Sequence, residues 1–312
     1  MTVSRVLNTP ELVAEPTREK VLKAIQDLDY VVNELARQIG TGRRPYIGIL
    51  SLGVATTPFA VDILSAVEQV TREHGWRAYI VNSVNHDPPP GVLDHILALR
   101  PEGIIIATVG HYIINVHERL IRSGVVLASC QTAQKGIACY VPDEEQGEYD
   151  GVRRLLEKGY RRPICIHLPE NLVAMSLRRE GMQRAFQQFN IPEKSQRHFI
   201  LHDEPDYLEC VGFLNQALAK RPRPDCLVCG NDRVAFVAYQ YLLSRGLRIP
   251  NDIGVLGFDN MVGVSDLFLP PLSTVRLPYE EIGRAAALHI IQKRKAARLH
   301  RIPCPFIGRA SF

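Results

Sequence analysis

From Pro45 onward the chain repeats one unit: a short apolar run, a turn, then a stretch whose apolar residues recur at helical spacing. A helix between successive strands carries the chain back along the sheet, so the repeat restricts the fold to parallel α/β architecture. The runs at 46–52, 78–81, 103–108 and 125–129, separated by helical stretches beginning near Pro58, Gly91 and Tyr112, build a first doubly wound lobe. The alternation restarts after Val141, with strands at 164–168, 198–201, 226–229 and 254–258 and helices near 144–158, 176–189, 207–220 and 233–245. Gly246 and Pro250 stop the last of these helices. A final helix over about 278–295 and a short strand near 302–306 complete the core. Two such lobes in tandem enclose a cleft at the carboxyl ends of their strands, where open α/β sheets take small ligands.

The expected organisation is therefore residues 1–44 as a separate all-α module and 45–312 as a two-lobed core. Lobe one covers about 45–142 plus part of 273–300, and lobe two covers about 143–272 plus the C-terminal segment. With 37 basic against 33 acidic residues, the net charge of +4 is too small to name a partner, so any nucleic-acid function must be argued locally. No window approaches the apolar length of a membrane span and the N-terminus lacks the pattern of a secretory signal, so the expectation is a cytoplasmic protein with no membrane partner. Seven scattered cysteines fit buried reduced thiols better than a disulfide framework. Cys226 and Cys229 form a C-x-x-C, but inside a strand, where residues three apart face opposite sides and make neither a redox pair nor a metal clip.

Residues 1–44 contain no strand-like run. A helical pattern at 2–7 stops at Asn8-Thr9-Pro10, and Glu15, Pro16 and Thr17 open a second helix with Val21, Leu22, Ile25 and Leu28 on one face. The stretches T-V-S-R-V-L-N at 2–8, T-R-E-K-V-L-K-A-I-Q-D-L-D-Y at 17–30 and N-E-L-A-R-Q-I at 33–39 resemble, in order and spacing, the headpiece of the lactose-repressor (LacI/GalR) family. The resemblance implies a helix-turn-helix in which Thr2, Ser4, Arg5 and Asn8 lie on the recognition helix, where short hydroxyls and arginine suit base-edge and phosphate contacts. It further implies a hinge helix with Asn33, Ala36 and Ile39 at the minor groove, Ile39 wedging between base steps. In the family the module begins with a first helix and the start of the recognition helix, both upstream of Met1 here, so the headpiece as read is incomplete, through a start codon placed too late or a truncation. Asp29 stands where the family usually has a helix-ending glycine, at modest conformational cost. Read from its basic residues alone, the module is rather a packing or dimerising arm with a solvated face.

In the core, C-G-N-D-R-V-A at 229–235 puts Asn231 and Asp232 just past a strand at a helix start, where Asp232 reads as the cap of that helix rather than a ligand contact. G-V-L-G-F-D-N at 254–260 leaves Asp259 just past its strand, and both runs resemble family segments at the ligand site. R-R-E-G-M at 178–182 matches the family's Arg-x-x-Gly, which implies that Arg178 lies in the cleft. Phe59 follows the first strand where the family has an Asn-Pro-Phe loop and would cover one face of a sugar ring. Of Ser129, Cys130 and Gln131 at the end of the fourth strand, Gln131 reads as best placed for a polar contact, while Trp76 reads as packing. L-P-P-L-S-T-V-R-L at 269–277, also family-like, looks like a chain crossing between lobes. Arginine, asparagine and aspartate at fixed positions suit a hydroxyl-rich ligand.

The motifs of the rival readings are missing. No phosphate-binding loop, dinucleotide fingerprint, nucleophile elbow or zinc-protease helix occurs, and the ten histidines do not pair at metal-ligand spacing, so neither enzyme, catalytic residue, cofactor nor metal is expected. A transport-type sugar-binding protein would have the same core but an export signal in place of a DNA module. The expected protein is a transcriptional repressor whose partners are operator DNA, a sugar-like effector and further copies of itself, as a homodimer or tetramer.

Overall fold

The computed structural model describes residues 3, 5–6, 10–28, 46–53, 59–203 and 206–312, with the backbone alone for residues 59 and 60. The chain divides into two compact units, 1–44 and 45–312. In the first, a 3₁₀ turn at Pro10–Leu12 precedes helix α1 (Glu15–Asp27), which carries Pro16 in its first turn and an ion pair between Glu15 and Arg18. Leu22 and Leu28 of its apolar stripe are exposed.

The second unit is built on two six-stranded sheets, each parallel apart from one antiparallel edge strand in the second. In the first sheet the strands are β1 (Tyr46–Leu52), β2 (Arg77–Ser83), β3 (Gly103–Ile113), β4 (Val125–Gln131), β5 (Ala138–Asp143) and β11 (Leu299–Pro303). They lie in the order β11-β5-β4-β3-β1-β2. Helices α2 (Phe59–Glu73), α3 (Pro90–Ala98) and the one-turn α4 (Glu118–Ile121) connect them. The second sheet has β6 (Pro163–His167), β7 (Arg197–Ile200), β8 (Cys226–Cys229), β9 (Gly254–Asp259), β10 (Ser273–Arg276) and β12 (Phe306–Ile307). Their order is β12-β10-β9-β8-β6-β7. With them run α5 (Glu144–Glu157), α6 (Val173–Gln188), α7 (Cys210–Ala219) and α8 (Asp232–Ser244), while α9 (Tyr279–Ile291) returns to pack on α2 of the first lobe.

Both sheets carry apolar clusters on their two faces, as strands covered by helices on each side require. Cys226 belongs to one face of the second sheet and Cys229 to the other, as the two-residue period of a strand demands. All seven cysteines are unbonded and buried. Burial pushes the Cys226 and Cys229 thiols well above their ordinary range, which makes them inert packing groups. Trp76 packs, half-buried, against the first-lobe core.

Three details differ from the sequence reading. The third strand continues to Ile113 through an irregularity between Ala107 and Tyr112, so the helix expected near Tyr112 shrinks to Glu118–Ile121. Strands β5 and β10 were hidden, each a short run at a crossing rather than between two helices. The single strand expected near 302–306 is two: β11 pairs with β5 in the first sheet, and after Cys304-Pro305 the chain enters the second sheet as β12. The chain thus passes between sheets after β5, after β10 and after β11, and Phe258 and Val275 of the second sheet share one apolar cluster with Ile47 and Ile105 of the first.

Candidate functional site

Between the carboxyl ends of the two sets of strands lies a cavity of about 160 Å³, walled by groups from both lobes and from the crossings between them. Arg178, on α6 and 7% exposed, lines it. Helix α6 can hold Arg178 there because it rides directly on α5: a Cβ added to Gly181 would stand 2.1 Å from the carbonyl oxygen of Glu145. The glycine of the R-R-E-G run is therefore a packing requirement that sets the arginine's position. The Arg178 Nη2 donates to Glu144 Oε1 at 2.9 Å and stands 3.6 Å from Asp259 Oδ1, and Nη1 donates to the Gly230 carbonyl at 2.5 Å. The guanidinium lies 3.6 Å from the Phe258 ring centroid, a cation–π stack. Burial opposes the positive charge, but Glu144 and Asp259 outweigh it and keep the guanidinium protonated.

Glu144 is the first residue after β5, at the point where the chain leaves the first sheet for the second. It is 1% exposed. Burial pushes its carboxyl up, but the Arg178 charge and a hydrogen bond from His111 outweigh that and hold it below the ordinary carboxylate range. His111 reaches it from β3 with Nδ1 3.0 Å from Glu144 Oε2. The irregularity in β3, with Gly110 at φ +89°, turns His111 into the cleft; strand bulges commonly re-aim a side chain in this way.

At the far wall Asn231 is 4% exposed and caps α8: its Oδ1 accepts from the Val234 amide at 2.9 Å and its Nδ2 donates to the Tyr207 hydroxyl at 3.4 Å. The helix begins one residue earlier than the sequence suggested, so Asn231 rather than Asp232 is the cap. Asp232, fully buried, instead accepts from Ser265 Oγ, Thr274 Oγ1 at 2.7 Å and the Met261 amide at 2.9 Å, bracketing the segment after β9 and strand β10 to α8. Asp259 ends β9 at φ +114°, and Tyr279 opens α9 with its hydroxyl 3.5 Å from the Gly110 amide.

Three buried polar atoms on cavity-lining residues have no hydrogen-bond partner among the described residues: Arg178 Nε, His111 Nε2 and Ser129 Oγ. Groups desolvated in this way are costly unless something completes them. Ser129 sits at φ +65°, a conformation rare for a residue with a Cβ and concentrated at functional positions.

The structure brings Arg178, Asn231 and Asp259 to the cavity wall. Gln131 is not among them; it faces a separate groove with Ile113 and Leu299. The positive φ at Ser129 redirects the strand end, so the serine takes the cavity side that was expected for Gln131. Phe59 is the first residue of α2, and its side chain lies outside the described atoms. Arg5 is exposed on a helical stretch, while Thr2, Ser4, Asn8, Asn33, Ala36 and Ile39 lie outside the described residues. Sequence reasoning missed His111, Glu144 and Tyr279: a strand irregularity and a sheet crossing put them there, and only the V-P-D-E step after an apolar run hinted at the crossing.

Residues 46–310 match the family described as "Periplasmic binding proteins and sugar binding domain of LacI family", and residues 1–33 match "Bacterial regulatory proteins, lacI family". The chain belongs to the LacI family. This LacI-family protein is 44% identical over 316 aligned positions to the sucrose operon repressors of Shigella flexneri and Escherichia coli, covering 100% of this chain and 95% of each relative. The lac repressor bound to ONPG shares its fold, with a TM-score of 0.79 at 22% identity over 100% of this chain and 95% of that one. The LacI-family protein is accordingly a DNA-binding transcriptional regulator with an effector domain of the sugar-binding type. No described helix is long and apolar enough to cross a membrane.

Proposed function

We propose that the protein represses transcription as a homodimer whose headpieces read the half-sites of one operator, and that a neutral sugar, sucrose or a sugar built from its rings, binds in the interlobe cavity and changes operator affinity. The observation that carries the sugar reading is the balance of charge around Arg178. Its guanidinium already faces two carboxylates, Glu144 and Asp259, so a phosphate placed here would meet like charge, whereas hydroxyls would find donors and acceptors on fixed walls. The 44% identity to sucrose operon repressors along the whole chain supports sucrose among neutral sugars.

In this reading Arg178, Asn231, Asp259 and Ser129 are the effector contacts, with Phe59 as an apolar cover; the position of Gln131 removes it. Thr2, Ser4, Arg5 and Asn8 contact the major groove, and Asn33, Ala36 and Ile39 serve the hinge helix. Groups from two sheets close on one guest, so occupancy favours the closed arrangement of the lobes, and operator affinity shifts by the difference in sugar affinity between the two states. The test selects bound duplexes from a randomised library, then follows the best duplex by fluorescence anisotropy with and without millimolar sucrose. The expected result is a sequence preference and a sugar-dependent affinity change of roughly 5-fold or more. No preference over random DNA sinks the operator assignment, and unchanged affinity together with no calorimetric signal for sucrose sinks the effector assignment.

A further inference from the structure

His111 is a cavity group that the family motifs do not account for, and its surroundings decide what it can do. Its Nδ1 is 3.0 Å from the Glu144 carboxylate, which Arg178 and His111 hold in its charged form. A carboxylate only accepts, so Nδ1 must carry the hydrogen and donate. In the neutral ring Nε2 then presents a lone pair, and this atom is buried without a partner among the described residues, on a residue that is 2% exposed and lines the cavity. Glu144 in turn accepts from Arg178 of the second lobe, so an unbroken buried chain runs from β3 of the first lobe, through the crossing, to α6 of the second.

We propose that His111 Nε2 accepts a hydrogen bond from one hydroxyl of the effector and thereby determines specificity, with Glu144 as the positioning residue that sets the ring's tautomer and ties the contact to Arg178. The proposal rests on the sugar reading above. It names a requirement that reading lacks: at one position the guest must offer a hydrogen, so an ether, a fluorine or a bare carbon there is rejected.

Glu144 can be made to reverse that requirement. In Glu144→Gln the amide oxygen must turn to Arg178, which has donors only, leaving the amide NH₂ toward His111 Nδ1. The ring then shifts its hydrogen to Nε2, which becomes a donor and no longer needs a ligand hydrogen. The His111→Asn and His111→Gln pair separates ligand contact from packing: asparagine places a donor where Nδ1 stands and keeps the Glu144 bond, whereas glutamine reaches the place of Nε2 and offers an acceptor there.

The experiment measures sucrose and the set of monodeoxyfluoro sucroses by titration calorimetry against the full chain and these three variants, with ¹⁵N NMR of the histidine rings to read the tautomer and thermal unfolding to confirm folding. Wild type is expected to bind one fluoro analogue about tenfold more weakly than sucrose. His111→Asn is expected to lose about tenfold for sucrose while no longer distinguishing that analogue, His111→Gln to retain more of the sucrose affinity than His111→Asn, and Glu144→Gln to show the inverted ring with discrimination gone. If wild type binds sucrose but His111→Asn binds it equally well, the contact is wrong and the effector assignment stands. Should wild type bind none of these sugars, the effector assignment itself fails and this contact with it. A Glu144→Gln ring that keeps its hydrogen on Nδ1 overturns the positioning role.

Discussion

Arg178 and Glu144 form a buried ion pair at 2.9 Å, with the carboxylate supplied by the chain's crossing between sheets and the guanidinium by a helix of the second lobe. Removing one partner leaves the other charged and desolvated, so Arg178→Ala is expected to cost about 3–5 kcal/mol in urea unfolding and to abolish the sugar signal in calorimetry. Adding Glu144→Ala removes the stranded charge, and the double variant should regain part of that stability without regaining binding. Strictly additive losses would show that the two do not act as a pair.

Glu148 lies one turn further along α5, 5% exposed in a small void with Arg178, Met175 and Met182. Burial pushes its carboxyl up to about 8, Glu144 adding to the shift and Arg178 opposing it. Below its ordinary value of 4.5 both folded and unfolded chains hold the proton; between 4.5 and about 8 only the folded chain does, so this group's stabilisation is lost as pH rises through that window. Glu148→Gln, which stays neutral, is expected to flatten the fall, gaining on wild type by a few kcal/mol on the order of the shift as pH approaches 8. Parallel stability–pH curves for the two proteins would refute the assignment.

Gly181 allows α6 to lie against α5 with no room for a methyl group, the clash being with backbone at Glu145. Gly181→Ala would gain helix propensity of about 1 kcal/mol, yet it must push the helices apart, and a net loss of about 2 kcal/mol or more is expected. Because that shift carries Arg178 away from Glu144, sugar affinity should fall as well, measured on the fraction that remains folded. Unchanged melting temperature and affinity would contradict this account.

Asp232 satisfies two hydroxyls and an amide at once in a fully buried setting. Asp232→Ala strands the Met261 amide and leaves the Ser265 and Thr274 hydroxyls only backbone carbonyls at 3.1 Å and 3.5 Å, and a loss of about 2 kcal/mol or more is expected in denaturant unfolding. Its carboxylate serves the scaffold rather than the guest, so the sugar dissociation constant of the folded fraction should change by less than about threefold; a much larger weakening would put Asp232 in the site.

The two-lobed plan was readable because burial on both sheet faces leaves continuous apolar runs, and the helices between them leave a helical period; both are local patterns. Arg178, Asn231 and Asp259 were legible as polar residues at strand or helix ends within recognisable runs. His111 and Glu144 were not. Nothing in G-H-Y shows that β3 slips its register before Tyr112, and a glutamate opening a helix usually faces water. Gln131 read as better placed than Ser129 at the strand end, yet it is the serine, at a positive φ, that lines the cavity.

The two-lobed α/β plan, the LacI-type headpiece motifs and the residue types available to a sugar were determined by the sequence alone, because they depend on side-chain character and spacing along one chain. Which polar groups meet was decided by the tertiary structure. His111, Glu144 and Arg178 are 33 and 34 residues apart in the chain and become neighbours only where two sheets meet at a crossing. There the loss of water makes each depend on the others, an energy with no counterpart in the local pattern.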